Sequence, residues 1–354
     1  MLVTGGAGYI GSHAAKTLWM AGYQPIVFDD LSNGHREAVR WGPLIEGDVR
    51  NEYALAQAMA KHEVCGVIHF AGLIEVGSSF VSPDRFWDHN VNGVAAVLRA
   101  MRRTNVRRLV FSSTAAVYGQ PRRGQITGLT EDHPTHPINP YGDTKLAAER
   151  MIAASCQAYG LTAIALRYFN AAGADGDGTI GEAHSPESHL IPLAIEAALA
   201  STPLTVNGAD FVTADGSCVR DYVHVSDLAE AHVLALKASI GPTGFEALNL
   251  GTGRGFTVLA VLAAVERAAE ASIARRHGAR RIGDPAILIA DASKAKALLG
   301  WRPVQSTLAE IVGSAVAWRR SKGFCPSPNL NSGIAISSAP FKTAIAHGPP
   351  ALSG

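Results

Sequence analysis

A chain of 354 residues, 47% apolar and 17% charged, is long enough to bury a large core in one big domain or two lobes and has the composition of an ordinary globular protein. A formal net charge of +1 provides no field for gathering nucleic acid or anionic lipid, so an anionic ligand has to be met by local arginines. The four cysteines, Cys65, Cys156, Cys218 and Cys325, lie far apart with no Cys-x-x-Cys pair, and neither an export signal nor an apolar run of about 18 residues is present; we expect a cytoplasmic protein without a disulfide framework, a membrane span or a nucleic-acid partner.

The first predicted strand, Met1 to Thr4, runs into Gly5, Gly8 and Gly11 and then the helical run Ser12 to Ala21. Glycines at this spacing let the backbone turn tightly against a pyrophosphate, and the helix that opens there aims free N–H groups and its positive dipole end at that anion. A second strand, Pro25 to Phe28, ends in Asp29, a carboxylate suited to both hydroxyls of an adenosine ribose and hostile to a 2′-phosphate, which favours NAD over NADP. Further strands are expected at Leu44–Glu46, Gly66–Phe70, Arg107–Ser113 and Leu161–Arg167, separated by Ala-rich segments of helical spacing. That alternation predicts an α/β chain built on a Rossmann-like, doubly wound parallel sheet, with ligands beyond the carboxyl ends of its strands. Candidate contacts sit at those ends: Asp48 and Val49 for the adenine edge and face, and Phe70-Ala71-Gly72 against the cofactor diphosphate. Asp48 has an alternative as the cap of a helix Asn51 to His62.

After Arg167 the alternation stops, and Gly- and Asp-rich sequence from Ala171 to Gly181 begins a smaller α/β substrate-binding lobe. The chain is expected to return to the sheet with Tyr222–Val225, the helix Ser226–Lys237 and the strand Ala247–Leu250, and Arg280 to Trp301 to close the smaller lobe. The expected division is 1–170 plus 221–251 for the dinucleotide and 171–220 plus 252–320 for the substrate. The Pro-, Ser-, Ala- and Gly-rich stretch 325–354 reads as a disordered tail.

Tyr141 and Lys145 stand one turn apart at the start of a helix opened by Asn139 as cap and Pro140 in the first turn. An ammonium beside a phenol, with a nicotinamide cation nearby, lowers the phenol pKa toward working pH. Tyr141 then accepts the proton of a substrate hydroxyl while hydride leaves the same carbon. Thr114, in the run Phe111-Ser112-Ser113-Thr114-Ala115-Ala116-Val117-Tyr118-Gly119, sits where it can bond that hydroxyl and shuttle its proton; capping of the strand end is the plainer role for these hydroxyls.

The glycine turn, the Ser-Ser-Thr strand end, Tyr141-x-x-x-Lys145, Arg167-Tyr168-Phe169-Asn170-Ala171-Ala172-Gly173-Ala174, Gly216-Ser217-Cys218-Val219-Arg220-Asp221-Tyr222-Val223-His224-Val225 and Leu248-Asn249-Leu250-Gly251-Thr252-Gly253 follow one another in unbroken order over residues 1 to 320. In this the chain resembles the UDP-glucose (UDP-galactose) 4-epimerases of the extended short-chain dehydrogenase/reductase superfamily. The resemblance implies a tightly bound NAD, oxidation at C4 of a UDP-sugar, swinging of the 4-keto sugar about its diphosphate, return of hydride to the opposite face, and a homodimer. It implies that Tyr141 takes the O4 proton, that Lys145 binds the nicotinamide ribose and tunes the tyrosine, and that Thr114 touches O4. Gly5, Gly8, Tyr9, Ile10, Gly11, Asp29, Asn33, Asp48, Val49, Phe70, Ala71, Gly72, Ser112 and Phe169 complete the cofactor set with Tyr141 and Lys145. On the substrate side Asn170 matches a phosphate contact, Arg220 and Arg281 the diphosphate arginines, Asp284 the acid near the uridine ribose and Tyr222 a neighbouring position, with His189, Leu190, Thr205, Val206, Asn207 and Leu288 lining the same site. Bidentate arginines suit a swinging sugar whose anionic end has to stay clamped; a surface or interlobe salt bridge is the alternative for Arg220 and Arg281.

The chain departs from its relatives at Ile74, where many have a lysine near the cofactor diphosphate, at His89, where asparagine is usual, and at Asn207, where an aromatic usually stacks on uracil. These bear on cofactor affinity and base preference. Leu288 replaces a bulkier tyrosine, which leaves room for an N-acetyl group at C2. A 4,6-dehydratase is a second reading, opposed by Thr114-Ala115-Ala116 in place of Thr-Asp-Glu, and a non-catalytic NAD-binding protein is a third, opposed by the presence of both Tyr141 and Lys145. Asp175-Gly176-Asp177-Gly178 has the start of a calcium loop without its later glycine and glutamate, and His184, Glu187 and His189 match no usual metal spacing, so no metal is expected. Arg99, Arg102, Arg103, Arg107 and Arg108 read as a solvated helix end complementing the dipole.

Overall fold

Short β-branched and apolar runs, each ended by glycine or a polar residue, form the strands of the main sheet. β1 (Leu2–Thr4) leads through the glycine turn into α1 (Tyr9–Met20), followed by β2 (Ile26–Asp29), β3 (Leu44–Glu46), α2 (Glu52–Lys61) and β4 (Val67–His69). The short helices α3 (Val76–Val81) and α4 (Pro83–Phe86) and a π-helical turn Trp87–Asn92 precede α5 (Gly93–Arg103) and β5 (Arg108–Thr114). The long α6 (Pro140–Tyr159) and β6 (Thr162–Tyr168) complete this half. The computed structural model describes residues 1–121, 128–238, 244–281, 284–321 and 323–324, and the stretch 325–354 expected to be a disordered tail lies outside them.

The remaining elements are β7 (Asn170–Ala172), α7 (Leu190–Ala200), β8 (Leu204–Asn207), β9 (Val219–His224), α8 (Val225–Lys237), β10 (Phe245–Leu250), β11 (Gly255–Thr257), α9 (Val258–Ala269), β12 (Arg275–Gly278), β13 (Ile287–Leu288), α10 (Ser293–Leu299) and α11 (Leu308–Arg320). Seven parallel strands run in the order β10-β6-β5-β4-β1-β2-β3, so the direction of winding reverses beside β1. A crevice at such a reversal, outside the carboxyl ends of the strands, is where this architecture binds ligands.

Alternation along β1 puts Leu2 and Val3 into separate cores. Leu2 packs with Leu55, Met59, Val97, Met101 and Ile152 from α2, α5 and α6, and Val3 with Leu18, Leu228 and Leu236 from α1 and α8. A third cluster, built by α7, α9 and α11 around Tyr222, belongs to the smaller set of strands. Full burial of each large side chain contributes about 1.5–3 kcal/mol, set against the chain entropy lost on ordering.

Two expectations are corrected. The strand expected at Tyr222–Val225 is β9, which begins at Val219 and joins β7, β11 and β13 in a separate sheet; the position beside β6 in the main sheet is filled by β10, paired over six residues. Trp301 and Ala295 do not close the smaller lobe but are buried in the main-sheet core, where the Trp301 indole donates to the Asp227 carbonyl at 2.8 Å. Asp227 also accepts from the backbone of Val304 and Gln305, which fixes the segment that leads to α11.

Candidate functional site

The crevice is a cleft of about 1050 Å³. That exceeds what one small ligand fills and fits a dinucleotide beside a second nucleotide. Gly5, Gly8, Tyr9, Ile10, Gly11, Asp29, Asn33, Val49, Phe70, Ala71, Gly72, Ser112, Thr114, Tyr141, Phe169, Asn170, His189, Leu190, Arg220, Tyr222, Arg281, Asp284 and Leu288 all line it. The departures Ile74 and His89 line it as well.

At one end the backbone has no room for a side chain. Gly5 holds φ +70°, and a Cβ there would lie 2.6 Å from the Ala71 nitrogen; a Cβ on Gly11 would lie 2.1 Å from the Gly5 carbonyl oxygen. α1 starts one residue after Gly8 with no side-chain acceptor at its cap, so its first N–H groups are available to an anion. Asp29, at the end of β2, accepts from the backbone N–H of Ala7 and of Leu31, both at 2.9 Å. Burial raises its carboxyl pKa against those two donors. This half of the cleft fits an adenosine diphosphate by shape and charge.

Asp48 differs from expectation. Its carboxylate is held by Arg50, with Nε 3.0 Å from Oδ1, it is not among the residues that line the cleft, and the cap of α2 is Asn51, whose side chain accepts from Ala54 N at 3.1 Å.

The middle of the cleft, where Tyr141 and Thr114 stand, is built where α6 crosses β5. Asn139 caps α6, accepting from Gly142 N at 2.8 Å, and Pro140 occupies the first turn, as the sequence predicts. Tyr141 and Thr114 face the cleft together. Lys145, one turn on, is buried, lies 6.0 Å from the Tyr141 ring centroid and donates to the Ser112 carbonyl at 2.9 Å. Burial pulls the Lys145 ammonium down to about 8, against a raising contribution from Glu149. Burial likewise pushes the Tyr141 phenol up to about 12; the Thr114 hydroxyl opposes this by a hydrogen bond, and the charge of Glu75 adds to it. The expected lowering is therefore not produced by Lys145 alone, because desolvation of the phenol outweighs an ammonium at this distance. Thr114 combines its two roles: its hydroxyl caps the turn Ala115–Tyr118 by accepting from Ala116 N at 3.1 Å and still lines the cleft.

At the far end Arg220 and Asp284 form an ion pair in the cleft wall, and Arg220 Nη1 also donates to the Val219 carbonyl at 2.7 Å. Arg220 is buried, so the salt bridge here is not a surface one. Asn207, with its amide oxygen turned to the guanidinium, accepts from Arg281 at 3.1 and 3.3 Å and so acts on the cleft through that arginine. Thr205 and Val206 are not part of the lining: β8 pairs with β12, which buries Val206 among the helices of the smaller lobe and turns Thr205 to solvent.

Residues beyond the expected set share the site. Tyr168 lines the cleft and its hydroxyl meets the Ser112 Oγ; it stands inside a motif that the sequence singled out for its neighbours. Asn90 accepts from Leu73 N at 2.8 Å and donates to Thr144 Oγ1 at 3.0 Å, fastening the loop after β4 to α6. Glu182 and Glu187 join His184 and His189 in a quartet whose ligating atoms lie within 4.8 Å of one another. Burial opposes charge on His184 and Glu182, yet the carboxylates of Glu182 at 3.1 Å and Glu187 at 3.8 Å lift His184 to about 10, and the His189 charge brings Glu182 down to about 2. Within the quartet His184 contacts both Glu182 and Glu187, and His189 contacts Glu182. In the calcium-like stretch, Lys16 Nζ lies 2.5 Å from Asp175 and 2.6 Å from Asp177, an internal ammonium between the two acids. Arg99 and Arg103 pair with Glu52, and Arg102 lies over the Tyr159 ring at 4.5 Å.

The model of a family described as the NAD dependent epimerase/dehydratase family matches residues 1–251. A UDP-glucose 4-epimerase of Rhizobium leguminosarum bv. trifolii is 49% identical over 319 residues, 90% of this chain and 96% of the relative. The crystal structure of the UDP-glucose 4-epimerase from Brucella ovis in complex with NAD is 47% identical, covering 89% of this chain and 97% of that one with a TM-score of 0.85. The structure of the Bifidobacterium longum enzyme of the same name, in complex with NAD+ and UDP, is 37% identical, covering 90% and 98% with a TM-score of 0.85.

Proposed function

The chain belongs to the NAD-dependent epimerase/dehydratase family, and from that premise we infer that it is an isomerase that interconverts UDP-glucose and UDP-galactose with NAD as its cofactor. The observation that carries the reading is the single cleft in which an uncapped helix start and Asp29 lie at one end, Tyr141 and Thr114 in the middle and two arginines at the other. Gly8 to Gly11 and Asp29 would hold the dinucleotide, and Phe70 to Gly72 give it close backbone approach. A bound NAD would supply the acceptor and donor of the C4 hydride, and its positive charge would favour the Tyr141 phenolate that burial disfavours.

The residues of the chain supply the rest. Tyr141 accepts the O4 proton as the alcohol becomes a ketone and gives it back when hydride returns, and Thr114 orients that oxygen. Arg220 and Arg281 hold the diphosphate while the neutral keto sugar turns over, so both faces reach one hydride position. Ala115 and Ala116 line the cleft where a dehydratase needs an acid and a base, which favours epimerisation.

We extend the reading in four respects. Residues 1–170 plus 221–251 serve the dinucleotide and 171–220 plus 252–320 the nucleotide sugar, except that β9 through His224 belongs to the smaller sheet and α10 and Trp301 pack on the main one. Leu288 in the cleft wall admits UDP-N-acetylglucosamine, which its conversion at saturating concentration tests. The protein works as a homodimer, on the family resemblance, and sedimentation tests this. It is cytoplasmic: the described cysteines are free, and no described helix is long and apolar enough to cross a membrane.

The experiment that tests the function incubates purified protein with UDP-galactose and no added NAD. UDP-glucose formed without net NADH release is the expected result; NADH accumulation or unchanged substrate overturns it.

A further inference from the structure

We infer that Glu149 is a positioning residue for the proton-transfer pair, fixing α6 on the end of β5 and keeping the Lys145 ammonium charged behind Tyr141. The inference rests on the roles given above to Tyr141 and Lys145. Tyr141, Lys145 and Glu149 follow at spacings of four on α6 and so share one face. That face is fastened to two consecutive residues of β5: Lys145 Nζ donates to the Ser112 carbonyl at 2.9 Å, and Ser113 Oγ donates to Glu149 Oε1 at 2.5 Å. Two fasteners one turn apart set both the height and the rotation of the helix against the strand, and with them the place of Tyr141 opposite Thr114.

Glu149 is itself gripped. From β6, Arg167 donates Nε to Oε1 at 2.9 Å and Nη2 to Oε2 at 2.6 Å, and its Nη1 reaches the Tyr118 hydroxyl at 3.1 Å, which donates to Asn249 of β10 at 2.6 Å. Glu149, Arg167, Lys145, Ser113, Tyr118 and Asn249 are all buried. The other groups that face Lys145 supply no counter-charge: His69 on β4 is kept neutral by burial, down to about 3, and Tyr141 is a phenol. Without the Glu149 charge, two buried cations remain and only one can shed a proton, because arginine does not titrate in proteins. Lys145 then goes neutral at working pH and no longer favours the Tyr141 phenolate.

The test compares the full-length holoenzyme with its Glu149→Gln variant in the pH profile of kcat and in an ultraviolet difference titration of the Tyr141 phenol against Tyr141→Phe. In the variant the alkaline limb of kcat moves down by about one pH unit or more and, with NAD bound so that the nicotinamide charge lowers the phenol into the range where Lys145 is charged, the phenol midpoint moves up, while KM for UDP-galactose changes less than about twofold. Glu149→Asp, which keeps the charge, restores the profile in part. A folded Glu149→Gln protein with the original limb and midpoint overturns the inference. Should that variant fail to fold because Arg167 is left unpaired, Glu149→Asp decides, since its shorter carboxylate keeps Arg167 paired and loosens the grip on Ser113. A smaller displacement of the same sign then supports the inference, and an unshifted profile overturns it. The phenol titration uses no substrate, so it decides the role of Glu149 even if UDP-galactose is not converted.

Discussion

The Lys145 ammonium is anchored to the Ser112 main-chain oxygen, 2.9 Å away, and not to the Tyr141 hydroxyl. The lysine therefore acts on the phenol at a distance, as a charge held by strand β5, and the same anchor helps to set the part of α6 that carries Tyr141. A buried phenol at about 12 beside a buried ammonium at about 8 is poised to change when a further cation arrives at the cleft.

Replacing Tyr141 by Phe removes the proton acceptor and leaves the packing of a buried ring. We expect kcat for UDP-galactose to fall by roughly 10²- to 10⁴-fold with the melting temperature nearly unchanged. Steady-state rates and thermal unfolding check this together, and a variant with the original rate refutes the assignment.

Arg220→Met removes a donor of the proposed diphosphate clamp and leaves Asp284 without its partner. KM is expected to rise roughly 10- to 100-fold with kcat within about threefold and the content of bound NAD unaltered. Initial rates over a range of UDP-galactose, with nicotinamide assayed after denaturation, make the measurement.

Gly11→Ala would place a methyl 2.1 Å from the Gly5 carbonyl oxygen, a backbone atom that cannot step aside. The turn has to open, at about 1–3 kcal/mol, and the anion cradle opens with it. The expected outcome is protein that purifies depleted of NAD and unfolds at lower denaturant; full NAD occupancy would show that the turn does not hold the cofactor.

The His184 pKa is raised to about 10 in the fold through Glu182 and Glu187, from an ordinary 6.5. Its contribution to stability is complete below about 6.5 and is lost as pH rises through about 10, because the unfolded chain releases the proton first. Chemical denaturation at pH 6, 8 and 10 should show a decline that His184→Gln flattens. A slope equal in the two proteins removes the quartet as its source.

The alternation of short apolar strands with Ala-rich helices, and glycines that only a tight turn explains, were legible in the residues, and the seven-stranded parallel sheet follows from them. Tyr141 with its cap Asn139 was legible for the same reason: spacing along one helix is a local property. Asp48 and Trp301 were not, since each is placed by partners distant in sequence or by a neighbour that outcompetes the expected contact: Arg50 for the first, Asp227 and the main-sheet core for the second.

By itself the amino-acid order determined the strand ends, the glycine turn and the placing of Tyr141 and Lys145 on one helix face, because each depends on neighbours within about one helical turn or one strand-to-helix connection. Folding in three dimensions decided what cannot be local. It set β9 in its own sheet, joined Arg220 to Asp284 and assembled the Glu182–His184–Glu187–His189 quartet. It also put Glu149 between Ser113 and Arg167, so that the carboxylate one turn beyond Lys145 is held by the meeting of one helix with two strands. Burial is the physical reason: which groups lose water, and which opposite charge they find when they do, is fixed only when the elements pack.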